Sequence, residues 1–246
     1  MFKNVTKKVL VLYFMVLIGA PVFAQNVFSP DRPGFCTGTH TVSPGTVYLE
    51  MGYEFSATSR AGAPSFHGFP ISNIRYGITT NFEMNFMWDG FSYRSDSGGI
   101  DFEKGFALGG KYAITSHEQY NISAMAILFV NNLDNIVEFS PLLGLLWDYD
   151  IGDPMELYGV VHLLHTKNSN VSVEFAVGLA YSINPEIGVY GEYYNGLTFD
   201  PTNLGHGADI GLTYLLNSDT QLDLYFTTAL EGNAYRSIGF GFSKRF

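Results

Sequence analysis

Residues 46–55, TVYLEMGYEF, decide the class of fold. Val47, Leu49, Met51, Tyr53 and Phe55 fall on one side of an extended chain, and Tyr48, Glu50, Gly52 and Glu54 on the other. A period of two belongs to a strand, because a helix repeats its faces every 3.6 residues. The same alternation returns in NFEMNFMWDG (81–90), VSVEFAVGLAY (171–181), ADIGLTYL (208–215) and QLDLYFT (221–227). The fuller stretches run for about nine to eleven residues. Soluble strands usually stop at about five or six, whereas about nine to eleven tilted residues cross a bilayer.

Extending the pattern along the chain predicts roughly twelve strands, at 46–56, 71–78, 82–90, 105–114, 121–130, 136–149, 156–164, 171–181, 186–194, 206–215, 220–228 and 235–246. Short, turn-rich connections (79–81, 115–120, 150–155, 182–185, 216–219) alternate with others that include long ones at 57–70, 91–104 and 195–205. An even strand number with short turns at one end and longer loops at the other defines the expectation: an all-β fold, a closed antiparallel transmembrane β-barrel of about 12 strands spanning 46–246. A β-sandwich would also bury alternating aromatics, but it leaves edges to protect.

The two ends of the chain agree with export. Residues 1–24 have a basic start (Lys3, Lys7, Lys8), an apolar run from Val9 to Ile18 and small residues before a cut after Ala24. This predicts a signal peptide and places the mature chain in a Gram-negative outer membrane. The last ten residues, SIGFGFSKRF (237–246), read as the closing strand. Ile238, Phe240, Phe242 and Phe246 face lipid, and Phe240, Phe242 and Phe246 form a C-terminal signal for the barrel assembly machinery. Lys244 interrupts that apolar phase, in a place where a lysine extends its charge into headgroups. Between signal and barrel, residues 25–45 carry Pro30, Pro33, Pro44, Gly34, Gly38 and Gly45 and read as irregular chain. The segment is either a periplasmic lead-in or a plug, with Arg32 entering the inner mouth to pair with lumen carboxylates.

Charge and composition exclude several functions. Removing three signal lysines leaves ten basic against 23 acidic residues, a net charge near −13. Nucleic acid rewards the opposite sign. A single cysteine, Cys36, allows no internal disulfide, and no Cys/His spacing resembles a zinc site. Asp96, Asp101 and Glu103 lack the spacing of a calcium loop and read as solvated charge. The histidines (His40, His67, His117, His162, His165, His206) form no triad spacing with a nucleophile, so neither an enzyme nor a cofactor is expected.

The inward phase of the strands instead predicts a lumen lined by Glu50, Glu54, Glu83, Asp89, Glu138, Asp148, Glu174, Glu192, Asp209 and Asp223. Arg75, Lys111 and Arg245 are the cations of that phase, and His162 and Tyr190 its polar neighbours. Three cations do not neutralise ten carboxylates, so water and mobile cations are expected inside. Inward glycines (Gly52, Gly77, Gly109, Gly144, Gly178, Gly188, Gly211) read as room for a passage. The functional expectation is a passive, porin-like transporter of small solutes, preferring cations or neutral molecules, with outer-membrane lipids around it. The alternatives are a closed barrel acting as a structural or surface-interaction protein and, less favoured, an outer-membrane barrel enzyme.

Several segments in order, SPDRPGFCTGTHTVSPGTVYLEMGYEF, RYGITTNFEMNF, GFALGGKYAI, PEIGVYGEYYNG, DIGLTYLLNSDTQLDLYF and GFGFSKRF, resemble a family of outer-membrane transporters named for the meta-pathway of phenol degradation. The resemblance spans nearly all of the mature chain. It departs at Cys36-Thr37-Gly38, at Tyr48 and at Lys244. It implies a barrel and a transport role; a family name does not fix a solute.

Overall fold

The computed structural model describes residues 28–246 apart from 59–61, 97, 103–104, 134–135, 167–169, 199–203 and 232–234. The signal-peptide expectation for 1–24 lies outside the described residues. The strands are β1 (Val47–Thr58), β2 (Phe66–Thr79), β3 (Phe82–Trp88), β4 (Phe91–Arg94), β5 (Ile100–Phe102), β6 (Phe106–Ser116), β7 (Tyr120–Leu133), β8 (Ile136–Gly152), β9 (Met155–Thr166), β10 (Asn170–Ser182), β11 (Ile187–Thr198), β12 (Leu204–Asn217), β13 (Thr220–Ala229) and β14 (Tyr235–Arg245). Every pairing between them is antiparallel, and β1 pairs with both β14 and β2. The wall therefore closes as a 12-strand barrel, with the β4–β5 hairpin attached to β2 outside the ring. The seam is continuous to the last residue: the Phe246 N–H donates to the Val47 carbonyl at 2.9 Å.

The pleat sorts the side chains into an inverted protein. Met84, Leu108, Leu143, Ile210 (61% exposed), Leu224 and Phe240 (57%) face outwards, while Glu50, Arg75, Glu83 and Lys111 are all 0% exposed inside. A soluble fold puts its charges outside; an apolar exterior around a polar interior is what a bilayer requires. Among the described residues no helix is long and apolar enough to cross a membrane.

The strand expectations need two corrections. β2 starts at Phe66, not 71, and 91–104 is not a plain loop. Ser72–Thr79 pairs with β3, Phe66–Phe69 pairs with β4, and the break between them falls at Pro70 opposite Asp89-Gly90. Proline has no N–H to give the ladder. Gly90 turns through a positive φ of 65°, and any Cβ there would lie 2.6 Å from Pro70. The alternation that runs through this break looks like an unbroken strand in sequence.

Candidate functional site: the lumen and the segment inside it

Segment 28–46 lies inside the barrel, where inward side chains of β1, β2, β3, β6, β8, β11 and β13 bind it. The contacts begin at Arg75. Its guanidinium donates to Glu83 at 2.8 and 2.9 Å, to Glu50 at 3.1 Å, and to the carbonyls of Ser29 and His40 at 3.0 and 2.9 Å. Asp31 lies 3.2 Å from the same guanidinium. Lys111 joins from β6, donating to Asp31 at 2.8 Å and to the Gly38 and His40 carbonyls at 2.8 and 3.1 Å. Glu50 accepts the N–H groups of Asp31 and Arg32, both at 3.1 Å, and Glu83 accepts that of Val42 at 2.6 Å. Three buried carboxylates and two cations are thus knitted together by main-chain groups of the segment. Buried charges persist only when paired and hydrogen-bonded in this way.

Arg32 turns to β13, where it pairs with Asp223 at 3.2 Å, and its carbonyl accepts from Gln221 at 3.1 Å. Its guanidinium lies over the paired glycines Gly52 and Gly241; a Cβ on either would come within 2.2 and 2.7 Å of it. Further on, Ser123 and Asp148 hold Thr39 through its carbonyl and its hydroxyl.

The opposite wall, β9 to β12, uses different chemistry. Glu192 Oε2 accepts the N–H groups of Phe35 at 2.7 Å and Cys36 at 3.2 Å, and Oε1 accepts the Tyr158 hydroxyl at 3.0 Å. Its cross-strand neighbour Asp209 accepts the Tyr190 hydroxyl at 2.8 Å. Phe35 stacks on Tyr194 with ring centroids 4.8 Å apart and planes within 7°. Gly34 makes this turn with φ 111°, and a Cβ there would lie 2.7 Å from Glu192. Burial first, and the neighbouring Glu192 second, push the Cys36 thiol far above its ordinary range.

The space over the inward glycines is filled, which corrects their reading as an open passage. Each of four inward tyrosines covers the glycine directly opposite on the next strand: Tyr158 over Gly178, Tyr190 over Gly211, Tyr194 over Gly207 and Tyr225 over Gly239. Over Gly77 lie the carbonyls of Val42 and Ser43. Cavities remain among the described residues, two of them on either side of the segment. One of about 390 Å³ lies on the short-turn side of the segment, bounded by Asp148, Glu156, Tyr190 and Arg32. One of about 440 Å³ lies on the side of the longer connections, bounded by Glu174, Tyr194, Tyr235 and Phe35. The Phe35-Cys36 step and Glu192 stand between them.

The remaining predicted residues are scattered. Glu54 accepts the hydroxyls of Tyr225 and Tyr235 at 2.6 and 2.9 Å. Glu174 lies 3.8 Å from His162. Glu138 is half-buried on β8 across from Asn131. Asp89 lies past the end of β3 and is exposed, so the inward phase assigned to it does not apply. Arg245, opposite the inward Tyr48, lies over the Phe28 ring and pairs with Asp219 of the β12–β13 turn at 2.6 Å. Phe240, Phe242 and Phe246 are exposed on the outer face. Lys244 donates to Thr220 at 3.2 Å. Asp96 pairs with Arg94, Asp101 is on β5, and Glu103 is outside the described residues. Sequence reasoning missed Asp31, Phe35, Thr39, Tyr158 and the segment's N–H groups. Asp31 beside Arg32 was the one visible signal; main-chain donors leave none.

The fold is a closed, 12-strand, antiparallel all-β barrel. The chain is similar in fold to an outer membrane channel from Pseudomonas putida F1 (TM-score 0.64, 13% identity, covering 87% of this chain and 99% of that one). It is also similar to the NanC porin (TM-score 0.58, 9% identity, 80% and 98%) and to the KdgM porin (TM-score 0.56, 9% identity, 80% and 99%). Comparison of the sequence with family models and with curated proteins gives no match, so the resemblance to the phenol meta-pathway transporters stands on the quoted segments alone.

Proposed function

We propose that this protein is an outer-membrane channel for small solutes, passive and preferring cations or neutral molecules, with segment 28–46 as a plug that narrows it. The carrying observation is the pair of cavities on either side of the Phe35-Cys36 step, inside a closed barrel whose exterior is apolar. Solved porins and channels of the same fold support the reading. The short turns face the periplasm in this orientation, as in other outer-membrane barrels, and the exposed Phe240, Phe242 and Phe246 are offered to the assembly machinery. Lumen carboxylates attract cations. At the rim, among the described residues, His206 engages Glu231 at 2.9 Å and Tyr193 at 3.4 Å.

The closed structural barrel has one specific observation in its favour. Counting only side-chain cations overstated the charge left over, because N–H groups and tyrosine hydroxyls compensate Glu50, Glu83, Glu192 and Asp209. Planar-bilayer recording separates the two. The channel reading expects measurable conductance and a reversal potential of cation-selective sign in a potassium chloride gradient. It also expects higher conductance when residues 28–38 are deleted. Folded protein without conductance, with or without the deletion, supports the closed barrel.

A further inference from the structure

The cavity on the side of the longer connections differs from the rest of the lumen. Its floor is the Phe35–Tyr194 stack, and Leu164 and Ala229 make its walls largely apolar. One carboxylate, that of Glu174, lines it without a hydrogen bond among the described residues. His162 Nδ1 lies 3.8 Å from it, too far for a hydrogen bond. The His162 Nε2, on a side chain 8% exposed, has no partner either. By contrast, Glu50 and Glu83 are matched by Arg75, Asp223 by Arg32 and Glu192 by two N–H groups. Arg75 and Lys111 are committed to Asp31 and the segment, below the Phe35 floor.

A cavity of this kind complements a solute with one positive group and an apolar body. The carboxylate attracts the charge, the aromatic faces attract it through their negative quadrupoles, and the apolar walls take the hydrocarbon. A neutral molecule of the same shape loses the charge terms, and an anion meets repulsion. We infer that the cavity over Phe35 and Tyr194 is a binding site for small organic ammonium ions, with Glu174 as the residue that selects charge. The inference rests on the solute-channel reading above and names the class of solute that site holds.

The test uses the whole mature protein in detergent and three probes of one shape: benzylammonium, benzyl alcohol and benzoate. Calorimetric titration should show benzylammonium binding at least about tenfold more tightly than benzyl alcohol, and benzoate not at all; tenfold is the scale of one well-placed ionic contact. Glu174→Gln should bring amine and alcohol within about twofold of each other. Tyr194→Leu should weaken both. Glu174→Lys should reverse the order in favour of benzoate, a gain that misfolding does not produce. Equal binding of the three probes, or a preference for the amine that survives Glu174→Gln and Glu174→Lys, overturns the inference. Conductance on the same preparation keeps the two readings apart. A conducting barrel without amine preference sinks this site alone. Amine preference without conductance sinks the channel alone.

Discussion

Segment 28–46 meets two walls of the barrel that hold it by different means. On β1, β2, β3 and β6, Arg75 and Lys111 bind Asp31 and four backbone carbonyl contacts, and Glu50 and Glu83 take three N–H groups. On β9 to β12, among the described residues, no lysine or arginine takes part: Glu192 takes two N–H groups and Phe35 lies on Tyr194. The first wall is a network of buried charges, each needing all the others. The second is one carboxylate at a tight turn. The difference teaches where the segment is fixed and where it is free to move. Removing one member of a buried charge network leaves the rest uncompensated, whereas losing one acceptor costs only its own hydrogen bonds.

The largest effect should come from the charged wall. Arg75→Ala leaves Asp31, Glu50 and Glu83 facing each other in a buried site, and should cost about 3–5 kcal/mol. Denaturant unfolding in detergent should show the loss directly. Arg75→Met combined with Glu50→Gln and Glu83→Gln should recover much of it, because neutral groups of similar shape remove the uncompensated charge. A single variant as stable as the parent would break the comparison.

A smaller effect belongs to the other wall. Glu192→Ala should loosen residues 34–36 at a cost of about 1–3 kcal/mol while leaving the contacts at Arg75 in place. Cys36 reports it. In the parent the thiol is buried and held protonated by burial and by Glu192, so maleimide should label it slowly. The variant should label at least about tenfold faster, since about 1.4 kcal/mol of local opening is a factor of ten. Unchanged labelling would place the mobile part of the segment elsewhere.

The smallest effect is a pH dependence at His40, between the two. Burial, helped by Lys111 and Arg75 and opposed by Asp148 and Asp31, lowers its pKa below the usual 6.5. With a depressed folded pKa, the neutral ring's contribution to stability is complete above about pH 6.5 and is lost as pH falls below it. Melting curves from pH 7.5 down to 5 should therefore fall slightly more for the parent than for His40→Gln. The Arg75 and Lys111 contacts persist in that variant, because they go to the His40 carbonyl.

Much of this was legible in residues 46–55 and 237–246. Tyr48, Glu50, Gly52 and Glu54 face inwards as their alternation says, and Gly52 meets Gly241 across the closing seam. A period of two fixes the face of every residue in a strand once one is known, which is why the interior charges could be picked out one by one. Asp89 failed because the alternation continued past the Pro70–Gly90 break. Arg245 pairs in register with the inward Tyr48 and lies over the Phe28 ring, and its long side chain also reaches Asp219 in the β12–β13 turn. Arg32 reads as a lumen residue only in the plug alternative for 25–45; its partner, Asp223, lies 191 positions away.

The sequence by itself determined the class of fold, the inward and outward faces and the acidic balance of the interior, because these follow from local geometry and composition. Only the tertiary structure decided what fills the barrel. Whether a glycine opens a passage or receives a tyrosine depends on strand register: Tyr158 meets Gly178, and Tyr190 meets Gly211, through pairings with no local trace. Whether a carboxylate stays solvated or is satisfied depends on where an irregular segment runs, and the N–H groups of Phe35 and Cys36 that answer Glu192 are chemically the same as every other backbone donor in the chain.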